Sequence, residues 1–255
     1  MSSNKPSLQP PLQSSLEPSG TQDLPTVLSP AETMTILESL SGINRLIVEL
    51  MYSSGLSASQ CLRLRVQDID FKRNIITVRK RKNSKHRETI LSEEIRPRLI
   101  VQIDQSLDLQ AKDNCNGVGP SLPSDLSEEY PNAFRSPSWM FIFPSTELYQ
   151  QADSNKWCRH HLHTSVIRKA IKRAKTEARI DKQVRCSTFR HSFATHLLQD
   201  ETDFHTVKKL LGHLDIKTIQ LYSHIISQHE AANSNALDEA NKPSEPYSNK
   251  LAHVC

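Results

Sequence analysis

The chain has 255 residues, 36% of them hydrophobic and only 5% aromatic, so part of its length lies outside a packed core. A net charge of +4 leans only weakly toward an anionic partner, and where the charge sits matters more than the total. Five cysteines at 61, 115, 158, 186 and 255, with no CxxC pair, support neither a disulfide framework nor a zinc knuckle and suit a reducing compartment. No apolar run reaches the roughly 20 residues that span a bilayer, and the first residues lack the apolar core of a signal peptide. The expectation is a soluble, cytoplasmic protein without membrane contact.

Residues 1–23 are rich in Ser, Pro and Gln and read as a disordered lead. Order begins near Leu24. Ser29, Pro30 and Glu32 have the spacing of an N-cap, first helical residue and capping-box acid, followed by Met34, Ile36, Leu37 and Leu40. INRLIVELMYSSGL predicts a second helix closed near Gly55. SASQCLRLRVQDIDF gives a short helix and then extended chain. NIITVRKRKNSKHRETIL predicts a strand, a basic turn and a second strand, with β-branched residues from Ile75 to Val78 and at Thr89 and Ile90. Residues 104–138 are polar and read as a long insertion or loop, and SWMFIF as a short buried segment. TSVIRKAIKRAKTEARI predicts an amphipathic helix with a basic outer face. TFRHSFATHLLQD places Phe189, Phe193, Leu197 and Leu198 on one helical face, DFHTVKKLLGH ends at Gly212, and a last helix starts at Asp215. Residues 227–255 are a polar tail. The fold class is mainly α with one small antiparallel sheet (α+β).

Lys82 in the basic turn, Arg190 beside His191, His213 after Gly212, and Tyr222 make joint sense for a phosphodiester. A tyrosine hydroxyl is a competent nucleophile if its proton has an acceptor and the phosphate is neutralised. An arginine fork matches two phosphate oxygens. A histidine can donate to developing charge, and a lysine can protonate the leaving oxygen. No Asp/Glu cluster suited to Mg²⁺ accompanies them, so the expected route uses no metal and no cofactor. CRHHLH brings Cys158, His160, His161 and His163 together, but without a second ligand pair it reads as a polar turn rather than a zinc site.

TFRHSFATHLL, VKKLLGHLDIKTIQLYSH, GLSASQCLRLRVQDIDF and KNSKHRETIL resemble the catalytic domain of the tyrosine recombinases, from about Leu24 to Ile226. SLPSDLSEEYPNAFRSPSWMFIFPS and KWCRHHLHTSVIRKAIKRA look like the extra segment of the integron integrases. The resemblance implies Tyr222 as nucleophile, Arg190 as second arginine, Lys82 as hairpin lysine and His213 as the LLGH histidine. It implies DNA cut without metal through a covalent 3′-phosphotyrosine. Partners would be double-stranded DNA, folded single-stranded recombination sites, and further copies of the chain on DNA. DNA contacts are expected from Arg81, Lys85 and Arg87 on the hairpin, Arg159, His160 and His161 in CRHHLH, and Arg168 and Lys172 on the basic helix.

This sequence departs from the family pattern in three places. Ser57 stands where the first phosphate-binding arginine is usual, Ser187 where HxxR has its histidine, and Gln60 where an acid is usual. Serine can donate a hydrogen bond but cannot carry charge or buffer a proton. Arg63 and Arg65 lie near Ser57 in sequence, but the intervening helix points them elsewhere. Only the lead precedes the catalytic part, where the family carries a helical DNA-binding domain. The expectation is a truncated, impaired integron-type recombinase; the alternative is an inactive remnant that only binds DNA, for which TDFHTVKKLLGHLDIKTIQLY could serve as a helix-turn-helix.

Overall fold

The computed structural model describes residues 25–79, 86–122, 129–130, 132–151, 157–212 and 222. The expected lead (1–23), the helix expected from Asp215 and the tail (227–255) lie outside the described residues, Tyr222 excepted. Helix α1 (Pro30–Glu38) opens on the predicted capping box: Glu32 N donates to Ser29 Oγ at 3.1 Å and Ser29 N to Glu32 Oε2 at 2.7 Å. Helix α2 (Gly42–Ser53) buries Leu46 to Met51, and Gly55 follows with φ +61°. A Cβ at Gly55 would stand 2.6 Å from Phe193 and 2.8 Å from Leu211, so only glycine lets the chain run this close to the C-terminal helices. Helix α3 (Ala58–Leu62) is short.

Strands β1 (Ile69–Asp70), β2 (Ile75–Val78) and β3 (Arg87–Ile90) form an antiparallel sheet with Ile69 opposite Ile76, Ile76 opposite Thr89 and Val78 opposite Arg87. The pleat turns Arg87 and Thr89 inward and Glu88 and Ile90 outward. Helix α4 (Arg96–Cys115) follows. After it come β4 (Pro144–Gln150) and β5 (Trp157–His161), an antiparallel pair, and helices α5 (Thr164–Glu177), α6 (Cys186–Gln199) and α7 (Phe204–Leu211). The described residues are mostly helical with small antiparallel sheets, in the expected α+β class.

Three expectations are corrected. Residues 104–115 are not loop but the second half of α4, whose inward positions Ser106, Gln110 and Asp113 are buried polar groups. Gln110 donates to the carbonyls of Phe134 and Ser136, so the burial costs no unpaired amide there. Among the described residues there are two small sheets rather than one. CRHHLH is not a turn: its first residues complete β5.

The main core gathers Leu28, Ile36, Ile47, Leu50, Leu62, Ile76, Phe143, Ile167 and Phe189. A second cluster packs Phe193, Ala194, Val207, Leu211 and Tyr222 between α6 and α7. The site lies where this cluster meets the β2–β3 hairpin and the start of α3.

Candidate functional site

Arg190 projects from the first turns of α6. Its Nη1 donates to Gly55 O at 2.9 Å and to Gln60 Oε1 at 3.1 Å, and its Nη2 to Leu211 O at 2.6 Å. The guanidinium is thus held by the α2–α3 corner on one side and the end of α7 on the other. Burial lowers its pKa, with Tyr222 acting in the opposite sense.

Tyr222 is fully buried, and its Oη lies 2.7 Å from His191 Nδ1. Burial pushes the phenol up to about 12, against the pull of the Arg190 cation. Burial and Arg190 both push the His191 imidazole down, so it is neutral at physiological pH. A neutral imidazole with its proton on Nε2 offers Nδ1 as acceptor to the phenol. The adjacency of Arg190 and His191 in sequence therefore serves two jobs: one side chain faces the α2–α3 corner, the other the tyrosine.

Ser57 is the N-cap of α3. Gln60 N donates to its Oγ at 3.3 Å, and Ser57 N donates to Gln60 Oε1 at 3.0 Å. Ser57 and Gln60 are thus one capping box, and the S-x-x-Q spacing carries that signal in the sequence, where only their departure from the family pattern stood out. Ser187 is exposed at the start of α6 and shares a shallow polar recess with Arg185, Thr188 and His191. Lys82, Arg81, Lys85 and His213 lie outside the described residues.

One expected DNA contact is corrected, that of Arg159, and a second residue, Arg87, lies deeper than expected. Arg159 is 5% exposed; its guanidinium is paired with Asp113 and donates to the carbonyls of Ser145 and Thr146. It staples β5 to α4 and has no free face for a phosphate. Arg87 is not on the hairpin surface but 8% exposed, its Nη2 3.1 Å from Gln60 Oε1 and its Nη1 on Leu210 O. Arg168 and Lys172 are exposed on the outer face of α5. His160 and His161 stack at 4.0 Å beside Phe141, with His160 Nδ1 3.1 Å from Ser121 Oγ. Burial first, then His161, Arg63 and Arg65, press the His160 pKa to about 4. Arg65 itself donates to Trp139 O and Ser121 O and lies over the Phe141 ring, and Arg63 is exposed, so neither fills the place left at Ser57.

The site thus sets a tyrosine held by an imidazole beside a half-buried arginine, on a helical domain with a β-hairpin at its flank. The chain belongs to the phage integrase family, the tyrosine recombinases, whose model matches residues 22–229. It is 37% identical over 228 residues to an integrase/recombinase of Escherichia coli and to one of Pseudomonas aeruginosa, covering 89% of this chain and 68% of each relative. It is 30% identical over 222 residues to tyrosine recombinase XerD of Lacticaseibacillus casei, spanning 64% of that protein. The fold matches XerA recombinase with TM-score 0.56 at 22% identity, covering 87% of this chain and 67% of that one. It matches XerH site-specific recombinase bound to difH substrate with TM-score 0.54 at 20% identity, covering 82% and 53%. Among the described residues no helix is long and apolar enough to cross a membrane.

Proposed function

We propose that this protein breaks and rejoins DNA at specific sites through Tyr222, as an integron-type tyrosine recombinase with slowed chemistry. The observation that carries the reading is the 2.7 Å contact between Tyr222 Oη and His191 Nδ1, one residue along α6 from Arg190. Tyr222 Oη attacks the phosphorus, the bond from phosphorus to the 5′ oxygen breaks, and a 3′-phosphotyrosine forms. His191 Nδ1 takes the phenol proton. Such an acceptor is needed because a phenol with a pKa of about 12 is almost wholly protonated at neutral pH. Arg190 neutralises the phosphate oxygens, and Lys82 of the hairpin supplies the proton to the departing 5′ oxygen. Attack by another strand's 5′ hydroxyl reverses the step and rejoins the DNA.

The slowing follows from Ser187. A histidine there would add a donor able to share a proton, a contribution of about 10²–10⁴-fold in general acid–base catalysis. The His160–His161 pair beside Phe141 and the basic face of α5 offer stacking and charge to DNA, consistent with folded single-stranded sites as substrates.

The test is covalent capture. The chain is incubated with a library of nicked duplexes and hairpins of randomised sequence, and protein–DNA adducts that survive denaturant are isolated and sequenced. A slow adduct confined to a narrow set of sequences and absent with Tyr222→Phe is expected. No adduct, with salt-sensitive DNA binding intact, would instead establish a protein that only binds DNA.

A further inference from the structure

We infer that Arg87 is the second phosphate-binding guanidinium of this site, taking over from strand β3 the task that Ser57 cannot perform. The inference rests on the strand-breakage reading for what the phosphate belongs to, but not for the existence of the anion site.

Arg87 and Arg190 come from distant parts of the chain and meet on one atom. Arg87 Nη2 and Arg190 Nη1 each lie 3.1 Å from Gln60 Oε1, which also accepts from Ser57 N at 3.0 Å. An amide oxygen has two lone pairs, so three donors exceed what it satisfies well, and the guanidiniums have hydrogen-bonding capacity to spare. The remaining partners of both arginines are backbone carbonyls, of Leu210 for Arg87 and of Gly55 and Leu211 for Arg190. Among the described residues neither has a carboxylate partner.

Two cations are thus packed side by side without an acid, and one of them is more than nine-tenths buried. Arg87 Nε is buried and has no hydrogen-bond partner among the described residues. A buried charged donor left unpaired is costly, and an anion between the two forks removes the cost. The proximity is felt electrostatically: burial and the Arg190 charge lower the Arg87 pKa to about 10, which still leaves it a cation at neutral pH.

The backbone is shaped to admit this side chain. Gly212 closes α7 with φ +69°, and a Cβ there would stand 2.5 Å from Arg87 Cδ and 3.1 Å from Nε. The glycine of LLGH leaves open the channel through which the Arg87 stem reaches Gln60. Thr89, the next inward residue of β3, donates to Ser54 O at 2.8 Å and pins the strand to the end of α2. Arg87 is therefore presented by a paired strand at a fixed register, which a loop would not achieve. The replacement of an acid by Gln60 fits the same arrangement. A carboxylate at that point would pair with the arginines itself and compete with the phosphate, whereas a neutral amide orients them and leaves their charge for the ligand.

The test uses inorganic phosphate as the probe, titrated at constant ionic strength into the full chain and followed by the rise in Tm. Wild type and Arg63→Gln, a change at an exposed arginine near Ser57, are expected to bind equally. Arg87→Lys keeps the stem and charge but loses the fork, and should bind roughly 10-fold more weakly; Arg87→Gln should bind roughly 100-fold more weakly. Equal affinity in wild type and Arg87→Gln overturns the inference. Should Arg87→Gln fail to fold, Arg87→Lys decides: unchanged affinity overturns it.

A second arm separates contact from structural support. On a nicked duplex that the wild type cleaves, the Arg87 variant should lose the Tyr222 adduct with a phosphodiester and recover it with a methylphosphonate at the same position, because an uncharged linkage no longer needs a second cation. Loss on both linkages marks a purely structural arginine and overturns the inference. A wild type that forms no adduct sinks the strand-breakage reading alone, and the phosphate titration still decides Arg87.

Discussion

At the scale of the residue, the site is governed by where protons and positive charge are kept. Tyr222 and His191 form a donor–acceptor pair in which the phenol is too weak an acid to ionise alone. His191→Asn retains a short polar side chain but cannot take up a proton, so adduct formation should fall by about 10²–10⁴-fold. The pH profile distinguishes this from misplacement. His191 has its pKa lowered, so it stays an available base as pH falls below 6.5 and is lost only as pH passes its depressed value. The wild-type rate should show that acid limb and His191→Asn should not; identical limbs in both would exclude His191 as the acceptor. Gly212 gives a second measurement at this scale. Its φ of +69° and ψ of 164° lie in a region almost confined to glycine, and a Cβ would meet Arg87. Gly212→Ala should cost about 1–3 kcal/mol from the backbone alone, plus the displacement of Arg87. Gly42→Ala is the comparison, because Gly42 has φ +55° with nothing within 4 Å of its would-be Cβ. Urea denaturation should rank Gly212→Ala well below Gly42→Ala, and only Gly212→Ala should weaken phosphate binding.

At the scale of the element, what could be read in the sequence divides by the chemistry of the buried face. Helix α1 was legible from Ser29, Pro30 and Glu32, and α5 and α6 from apolar residues at helical spacing, because hydrophobic burial leaves a periodic trace. The second half of α4 left none, since the side chains it buries beyond Ile103 include Ser106, Gln110 and Asp113. Their partners lie far along the chain: Phe134 and Ser136 carbonyls for Gln110, and Arg159 for Asp113. Polar burial depends on a distant partner, which local pattern does not contain. The same limit hid the inward direction of Arg87, which is set by strand pairing, and its partner Gln60, which looked like a mere departure from the family. By contrast motif resemblance singled out Arg190 and Tyr222, which the fold does bring near each other. The Asp113–Arg159 pair makes a measurable case. Asp113→Ala leaves a buried guanidinium uncompensated and should destabilise by about 3–5 kcal/mol. Asp113→Leu combined with Arg159→Met removes both charges and should recover most of that loss. Equal destabilisation by the single and double variants in chemical denaturation would show that the pair is not what joins α4 to β5.

At the scale of the whole molecule, charge and burial set how the protein responds to salt and acid. The outer face of α5 exposes Arg168 and Lys172, so DNA affinity should fall steeply with salt. Replacing both by Gln should reduce the log–log salt slope by roughly 1.8, since each neutralised phosphate adds about 0.9 to it. An unchanged slope would remove α5 from the interface. Acid acts through the histidines. His160 is pressed to about 4, and His161, His191 and His196 are each lowered, with burial the first cause in every case. Unfolding releases these rings to an ordinary pKa near 6.5, so between that value and their folded pKa values the unfolded chain binds more protons than the native one. Stability therefore rises with pH through this window: it is fully present above about 6.5 and is lost as pH falls toward the folded values. The carboxylates with lowered pKa values, Glu32 and Asp203, act in the same direction but only at more acid pH. Tm should accordingly be flat from about pH 8 to 7 and decline from about pH 6.5 to 5, before any carboxylate is reached. His160 should contribute, because protonation there costs partial desolvation and places a new cation beside His161, Arg63 and Arg65, an effect that solvent at its exposed edge screens in part. His160→Gln, which preserves a polar side chain next to Ser121, should visibly flatten the decline, whereas a change at exposed His163 should not. A Tm that stays level from about pH 7 to 5 in the wild type would mean that these imidazoles are already solvated as the native state breathes. The packing of β5 against Phe141 would then be looser than its 5.5 Å ring contacts imply.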